Sequence, residues 1–338
     1  MGKVYKRGQI QVEVVLKSIN VCNGQKIVTF KRTYPRIIHA EMLKHSMTKC
    51  NTASSRAIPV KTMNETILDE VAMPVRFGQN QTGMQDKGGK HDAPVVIDGV
   101  AYNPQEAWSY AAKQAVKVSK AFAEAGYHKQ VCNRLTEPFQ FTVDVFTATE
   151  LANLFWLRCD KDADPTAQVL AELMYEAYMD EDGWQCLTDG EWHLPFVECK
   201  HVDGEQSFFT WDVDTSGTET DGFMYEQPLT LEEAKKISMS VCAQASYRKA
   251  DSSLEKALTV EQRLFTGNKV HASPSEHQAM AFDEEGGKSY WEIDGVTHLD
   301  LDGNMWSGNL KGFVQLRQLI PNNYQHDMNA VVEQLTTN

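Results

Sequence analysis

Residues 9 to 34 alternate apolar and polar side chains on both sides of Asn23-Gly24, and this pattern constrains the fold more than any other. Such alternation has the period of a strand with one face in a core, and Asn-Gly favours the tight turn of a hairpin. Helical spacing begins after Pro35 and recurs later in the chain. The sequence therefore predicts an α+β fold, a mixed sheet with long helices.

Several later segments have helical spacing. The longest begins at Asn103-Pro104 and is ended by Gly126. Further helices are expected over 128–136, 145–158, 166–179, 230–247, 253–266 and 312–320. Residues 60–102 predict a loop excursion and residues 180–228 a β-rich insertion, both within a single domain over 1–338.

Charge and cysteine content restrict the partners. The chain has 33 Lys and Arg against 46 Asp and Glu, a formal net charge of −13, which argues against binding to nucleic acid or a membrane surface. Its 7 cysteines include no CxxC pair, as is usual for thiols in a reducing compartment. The first residues lack the apolar core of a signal peptide. We expect a cytoplasmic protein.

Within this acidic chain, the stretch KHSMTKCNTASSRAIP concentrates cations and short hydrogen-bonding side chains. Its candidate ligand-binding residues are Lys44, His45, Asn51, Ser54, Ser55 and Arg56. Arg56 can hold a phosphate through two parallel N–H bonds, which Ser54 and Ser55 would supplement. Lys44 and His45 can face a second anion. The alternative interpretation is a solvated basic loop.

Two other segments carry polar side chains of uncertain role. His271–His277 holds two histidines and a glutamate, too few ligands for a closed zinc site, so we predict no metal; a helix start with Ser273 and Glu276 as its capping box is the alternative. On a predicted helix, Asn153 would share a face with Thr149 and Trp156. Arg158 ends an apolar segment, and its alternative role is an ordinary salt bridge.

At these spacings the segments resemble a known family. PRIIHAEMLKHSMTKCNTASSRA is similar to the signature of flavin-dependent thymidylate synthases, Arg-His-Arg-x-x-Ser-x-Asn-x-x-Ser-x-Arg. The matching positions are His45, Asn51, Ser54 and Arg56, while Lys44, Ser46 and Lys49 depart from the pattern. In the family this region holds the phosphates of the flavin and of the nucleotide.

Residues 107–171 resemble the family's later half, with Arg134 before Glu137-Pro138 and then Asn153 and Arg158. Departures occur at Thr147, Thr149 and Thr166. Residues 242–282 resemble the family's N-terminal part, whose loop is His-x-[Ser/Thr]-Pro-Phe-Glu-His, yet they follow the signature instead of preceding it. We therefore expect a circularly permuted, enlarged member. In residues 312–320, Gln315 and Arg317 could belong to a second copy of the signature helix.

The resemblance implies methylation of dUMP to dTMP at C5, with FAD as cofactor and NADPH and methylenetetrahydrofolate as co-substrates, in a homotetramer. It implies catalytic roles for Arg134 and Arg158 and substrate binding by these arginines together with Ser54, Ser55 and Arg56. It implies cofactor binding by Lys44, His45, Asn51, Asn153, His271, Ser273 and Glu276.

Two alternatives remain open because part of the cationic signature is missing. One is C5-hydroxymethylation of dUMP or dCMP, which would suit a virus that modifies its DNA bases and would place the protein in the host cytoplasm. The other is a nucleotide-binding or assembly protein of the same fold without catalysis. Retention of Arg56, Arg134 and Arg158 argues against the second.

Overall fold

The computed structural model describes residues 2–86, 89–214, 223–245, 250–265, 269–284 and 289–337. The chain divides into two compact units. Unit 1 comprises residues 1–18, 26–185 and 244–250, and unit 2 comprises residues 19–25, 186–243 and 251–338. The predicted mixture of helices and sheets is confirmed. The single domain and the circular permutation stay predictions.

The sheet of unit 1 is formed by strands from distant parts of the chain. The strands of this part are β1 (Val4–Arg7), β2 (Ile10–Asn20), β3 (Lys26–Pro35), β4 (Lys49–Thr52), β5 (Val95–Ile97), β6 (Val100–Tyr102), β7 (Phe141–Ala148) and β8 (Trp184–Leu187). The order is β1-β2-β3-β7-β4, β8 pairs with β2, and β5 and β6 form a separate hairpin. The predicted neighbours β2 and β3 are confirmed, joined by a turn in which Gly24 has a φ of +71°.

Helices of unit 1 cover this sheet or flank it. They are α1 (His39–Met42), α2 (Val60–Asp69), α3 (Pro104–Glu124), α4 (Lys129–Cys132), α5 (Ala152–Arg158) and α6 (Pro165–Met179), with 3₁₀ turns at Arg36–Ile38 and Asn133–Phe139. The start of α3 is fixed by a capping box, in which Asn103 Oδ1 accepts from the Glu106 N–H and Glu106 Oε2 accepts from the Asn103 N–H. The predicted helix from Asn103-Pro104 is therefore confirmed.

The core of unit 1 lies between the sheet and α6. In α6, Leu170, Leu173, Met174 and Ala177 recur at helical spacing and are all buried. They pack in one cluster with sheet residues such as Phe30. The core therefore holds β3 and β7 in place. Polar residues of the candidate site follow the end of β3 and precede the start of β7.

The prediction of a helix over 145–158 is wrong for its first part. Residues Phe141–Ala148 form β7, which pairs with β3 on one side and β4 on the other. The β-branched side chains of this segment favour a strand, and two partner strands stabilise it further. Since α5 begins at Ala152, Thr149 does not share a helix face with Asn153.

Unit 2 combines small sheets with two longer helices. Its strands are β9 (Trp192–His193), β10 (Glu198–Val202), β11 (Glu205–Asp214), β12 (Phe223–Leu229), β13 (Ala279–Ala281), β14 (His298–Leu299), β15 (Met305–Ser307), β16 (Leu310–Lys311) and β17 (Phe313–Gln315). Its helices are α7 (Leu231–Ala243), α8 (Leu254–Phe265), α9 (Leu316–Leu319) and α10 (Met328–Thr337), with 3₁₀ turns at Ser273–Glu276 and Tyr290–Glu292. The sheet orders are β10-β11-β12, β17-β13-β9 and β14-β15-β16.

The predicted helix over 312–320 is wrong for its first part, because β17 pairs with β13 before α9 begins.

The turn at residues 19–25 belongs to unit 2. Asn20 Nδ2 donates to the carbonyls of Phe282 at 2.9 Å and Gly312 at 3.0 Å. Asn20 is fully buried, so these two bonds satisfy an amide that water does not reach.

Candidate functional site

The turn after β4 is held against the 3₁₀ turn Asn133–Phe139. Asn133 Nδ2 donates to the carbonyl of Ser55 at 2.7 Å and to that of Ile58 at 2.9 Å. The turn is closed locally by the Ala57 N–H, which donates to the Ser54 carbonyl at 3.0 Å. Asn133 is buried, so these bonds fix the turn to a rigid part of unit 1.

A carboxylate organises the cations around this turn. Glu137 Oε1 accepts from Ser55 Oγ at 3.3 Å and lies 3.3 Å from Arg36 Nη2 and 4.0 Å from Arg134 Nη1. The guanidinium of Arg56 makes no ion pair or hydrogen bond with any residue that the structure describes. We call Arg36, Ser54, Ser55, Arg56, Asn133, Arg134 and Glu137 the loop cluster. It has more positive than negative charge, as an anion site requires.

A second group, the helix cluster, consists of Glu41, Lys44, His45 and Arg158. Arg158 Nε donates to His45 Nε2 at 3.0 Å, and Arg158 Nη2 donates to the Glu41 carbonyl at 3.4 Å. Lys44 Nζ lies 3.3 Å from the Glu41 carboxylate and remains largely exposed. Arg158 ends α5, where its cation also suits the negative end of the helix.

The helix cluster fixes the protonation of His45 and the orientation of Arg158. Burial, and secondly the Arg158 cation, lower the pKa of His45, so the imidazole is neutral near pH 7. Since Nε2 accepts from Arg158, the ring proton is on Nδ1. Arg158 Nη1 makes no hydrogen bond or ion pair with the described residues, so its two N–H groups can bind a ligand.

The segment Arg36–Met42 connects the two clusters. Arg36 at its start faces Glu137, and Glu41 near its end contacts Arg158. Asn51, in the neighbouring β4, has a buried side-chain N–H₂ group with no hydrogen-bond partner among the described residues. A buried donor without a partner is costly unless a ligand oxygen satisfies it.

An apolar cavity of about 590 Å³ opens beside the loop cluster within unit 1. One wall is the turn itself, through Ala53, Ala57 and Ile58; the other walls include Met63 of α2 and Phe139. Cavities of this size and lining accommodate flat ring systems. A ligand with an aromatic ring and an anionic group could therefore occupy the cavity and the loop cluster together.

The remaining predicted residues lie elsewhere. Asn153 is exposed on α5. His271, Ser273 and Glu276 lie in unit 2, where Glu276 Oε1 pairs with Arg317 Nη1 at 2.6 Å. Ser273 makes no side-chain cap and Ala272 is the N-cap residue, so the capping-box interpretation is wrong.

Gln315 of unit 2 is also held near Glu276. Its side-chain nitrogen donates to the Glu276 carbonyl at 3.1 Å and to Asn309 Oδ1 at 2.9 Å. Gln315 is buried, so these bonds fix the backbone of the 3₁₀ turn Ser273–Glu276 against β17.

Sequence reasoning missed four residues that are joined by hydrogen bonds and support the site: Arg32, Tyr34, His39 and Asp144. A signal was present: in the β7 sequence FTVDVFTA the aspartate occupies a strand position whose neighbours two residues away are Thr142 and Phe146, both buried. A carboxylate at such a position requires a buried partner.

Within the described ranges, no group of three or more His, Cys, Asp or Glu side chains is placed to hold a metal ion. Over the same residues, no helix has the length and apolar character needed to cross a membrane.

Comparison with known proteins finds similarity in structure only. No family model and no curated protein matches the sequence. The UMP/dUMP methylase PolB of Streptomyces cacaoi, bound with 5-Br UMP, is 14% identical over 51% of this chain and 89% of its own, with a TM-score of 0.35. The flavin-dependent thymidylate synthase ThyX of Helicobacter pylori, complexed with FAD and dUMP, is 18% identical over 47% of this chain and 74% of its own, with a TM-score of 0.31. Both TM-scores lie below 0.5.

Proposed function

We propose that this protein binds dUMP and methylates it at C5 to give dTMP, with FAD as cofactor and NADPH and methylenetetrahydrofolate as co-substrates, in a homotetramer. The observation that carries the proposal is the joining of two cationic clusters by Arg36–Met42, beside an apolar cavity, in a chain of net charge −13. The sequence resemblance to flavin-dependent thymidylate synthases supports the choice of ligands.

The loop cluster would bind the nucleotide phosphate. Ser54 and Arg56 provide hydroxyl and guanidinium donors on one turn, and Arg134 follows the asparagine that anchors this turn. Ser55 donates its single hydroxyl proton to Glu137, so it would bind a phosphate only by exchanging that partner. Glu137 keeps Arg134 and Ser55 in place before the ligand arrives. Phosphate bonds from cations that are already oriented lose less side-chain entropy on binding.

Arg158 would act on the pyrimidine ring. Its Nη1 donors remain for a ring carbonyl, because Nε and Nη2 are held by His45 and Glu41. Negative charge develops on the ring as C5 becomes nucleophilic, and a guanidinium fixed beforehand stabilises that charge without reorganising. His45 is the residue that orients this guanidinium.

The hydrogen-bond donors of unit 1 are of a type that suits the oxygen atoms of a flavin. The partnerless N–H₂ group of Asn51 can donate to a flavin oxygen, and Lys44 and His45 provide further polar contacts. The resemblance also implies flavin binding by Asn153 and, separately, by His271, Ser273 and Glu276 of unit 2, and these roles stay predictions. Bound FAD would supply the redox chemistry of the reaction.

The test is a visible absorption titration of the purified protein with FAD, followed by dUMP and separately by dCMP. We expect flavin bands that shift with one nucleotide. Arg158→Gln should weaken that nucleotide by about ten- to a hundredfold, the range for hydrogen bonds to charged groups. Lys161→Gln, three residues further on and largely exposed, is the matched control and should change nothing.

The same titration separates the alternatives. Nucleotide binding without uptake of flavin would support a nucleotide-binding or assembly protein; the exposed Lys44, paired with Glu41 where the family has an arginine, favours this alternative. If flavin and nucleotide both bind, the mass of the product made with methylenetetrahydrofolate distinguishes a methyl from a hydroxymethyl group on dUMP or dCMP. Binding of neither ligand would refute the proposal.

A further inference from the structure

His39 lies at the end of a buried polar chain on one face of the sheet of unit 1, where Arg32 of β3 is paired with Asp144 of β7. Arg32 Nε and Nη2 donate to the two oxygens of Asp144 at 2.8 and 2.6 Å. The Tyr34 hydroxyl donates to Asp144 Oδ2 at 2.8 Å and lies 2.8 Å from His39 Nδ1. The side chains of Arg32 and Asp144 are 0% exposed, so water does not compete for these bonds.

The proton positions in this chain follow from its two ends. Asp144 is ionised against the Arg32 guanidinium and can only accept, so the single hydroxyl proton of Tyr34 points to Asp144. The Tyr34 oxygen must then accept from His39, which places the ring proton on Nδ1. Nε2 of a neutral His39 therefore carries a lone pair whose direction is fixed.

Burial is the main reason that His39 stays neutral. Burial lowers its pKa, Asp144 opposes this, and the cations Arg36 and Arg32 lower it again, with a net decrease. The ring is thus an acceptor at neutral pH. Nε2 has no hydrogen-bond partner among the described residues, and His39 is only half-buried.

His39 also has a suitable place in the site. It follows Arg36 of the loop cluster by three residues and precedes Glu41 of the helix cluster by two, so it lies on the segment that joins the clusters. Arginine and lysine offer only donors to a ligand. A pyrimidine presents at least one N–H donor as well as carbonyl oxygens, and His39 offers a neutral acceptor for that donor.

We propose that His39 is a positioning residue for the nucleotide base: its Nε2 accepts a hydrogen bond from a ring N–H group of the bound pyrimidine, with the tautomer held by Tyr34 and Asp144. The ligand part of this proposal rests on the proposed function. The donor is N3–H in uracil or the 4-amino group in cytosine.

Binding measurements test the ligand part. With wild-type protein and His39→Ala, we would measure dissociation constants for dUMP, dCMP, N3-methylated dUMP and 2-deoxyribose 5-phosphate. We expect His39→Ala to raise the dissociation constant of the preferred nucleotide about five- to tenfold, which is the effect of losing one hydrogen bond. The dissociation constant of 2-deoxyribose 5-phosphate should stay unchanged. His39→Gln, whose side-chain oxygen can replace Nε2, should restore part of the loss. If the donor is N3–H of uracil, N3-methylated dUMP should bind to wild type and to His39→Ala with the same dissociation constant. Equal weakening of nucleotide and sugar phosphate, or no weakening, would overturn the proposal.

Nitrogen NMR of the free protein tests the tautomer. We expect His39 to carry its proton on Nδ1, the minor form of free histidine, and Tyr34→Phe to shift it towards Nε2. We call the hydrogen-bonded chain from Arg32 through Asp144 and Tyr34 to His39 the relay. A wild-type His39 ring protonated on Nε2 would refute it. If wild-type protein binds no nucleotide, the proposed function and the ligand assignment fail together, while the NMR result still decides the relay.

Discussion

Replacement of Asp144 by asparagine tests how far unit 1 depends on its buried ion pair. Asp144→Asn keeps the shape and one acceptor oxygen but removes the charge and turns an N–H₂ group towards Arg32 or Tyr34. Both charged side chains are 0% exposed and share two hydrogen bonds of 2.8 and 2.6 Å. Burial alone would lower the pKa of Arg32, whereas the Asp144 charge raises it above its ordinary value. A guanidinium is not deprotonated in proteins, so Arg32 stays charged in the variant that lacks the Asp144 charge.

The expected cost is large because an uncompensated charge remains in the core. Loss of one partner of a buried pair costs about 3 to 5 kcal/mol, whereas replacement of both partners by apolar residues is often close to neutral. We therefore expect Asp144→Asn to lower the free energy of unfolding by about 3 kcal/mol or more, and Arg32→Met with Asp144→Leu to recover most of this loss. Asp92→Asn, in an exposed pair with Lys90, should cost less than about 0.5 kcal/mol.

The assay is urea unfolding followed by circular dichroism, together with native-state hydrogen exchange at the amides of β3 and β7, which reports on unit 1 alone. The exchange rates of those amides should rise in Asp144→Asn and return towards wild type in the double variant. A loss below about 1 kcal/mol for Asp144→Asn would show that the charge is solvated or relaxes. A double variant as unstable as the sum of its parts would show that packing, not pairing, dominates.

Two further outcomes follow from the structure. Burial, and secondly His277, lower the pKa of His193 from its ordinary value of 6.5 to about 3. The unfolded chain therefore takes a proton as pH falls below about 6.5 while the folded chain does not, and unit 2 should lose about 1.4 kcal/mol per pH unit down to about pH 3. Urea unfolding at pH 7 and 5 measures this slope, and His193→Gln should reduce it; an equal slope in the variant would assign the pH dependence to other groups. Asn103→Ala should cost about 1 kcal/mol by removing the cap of α3, whereas Gln105→Ala, exposed in the same turn, should be near neutral in thermal unfolding.

Local signals predicted local structure well. The Asn23-Gly24 turn and the cap at Asn103 each act within a few residues, and each is found where the sequence places it. The sequence does not predict a strand at residues 145–148, because the pairing that stabilises it depends on β3, more than a hundred residues earlier, and on β4. Propensity over a short window does not include such partners.

The candidate site likewise contains residues that the sequence alone predicts and residues that it does not. The cations of residues 44–56 were visible as a cluster in the sequence, and the structure places His45 against Arg158. The role of Glu137 in holding Ser55 and Arg134 was not visible, because it depends on two segments meeting in space. The relay to His39 was missed for the same reason: Arg32 and Asp144 are 112 residues apart.

The turn at residues 19–25 has a consequence for synthesis on the ribosome. The carbonyl partner of Asn20 at Gly312 is translated 292 residues after it. At about 5 to 20 residues per second, the amide waits roughly 15 to 60 s for that partner. During this interval the hairpin can form its own ladder, but the buried contacts of its tip cannot exist. The nascent chain therefore carries an incomplete hairpin throughout this interval, a period in which chaperones or strand-pairing errors can act on it.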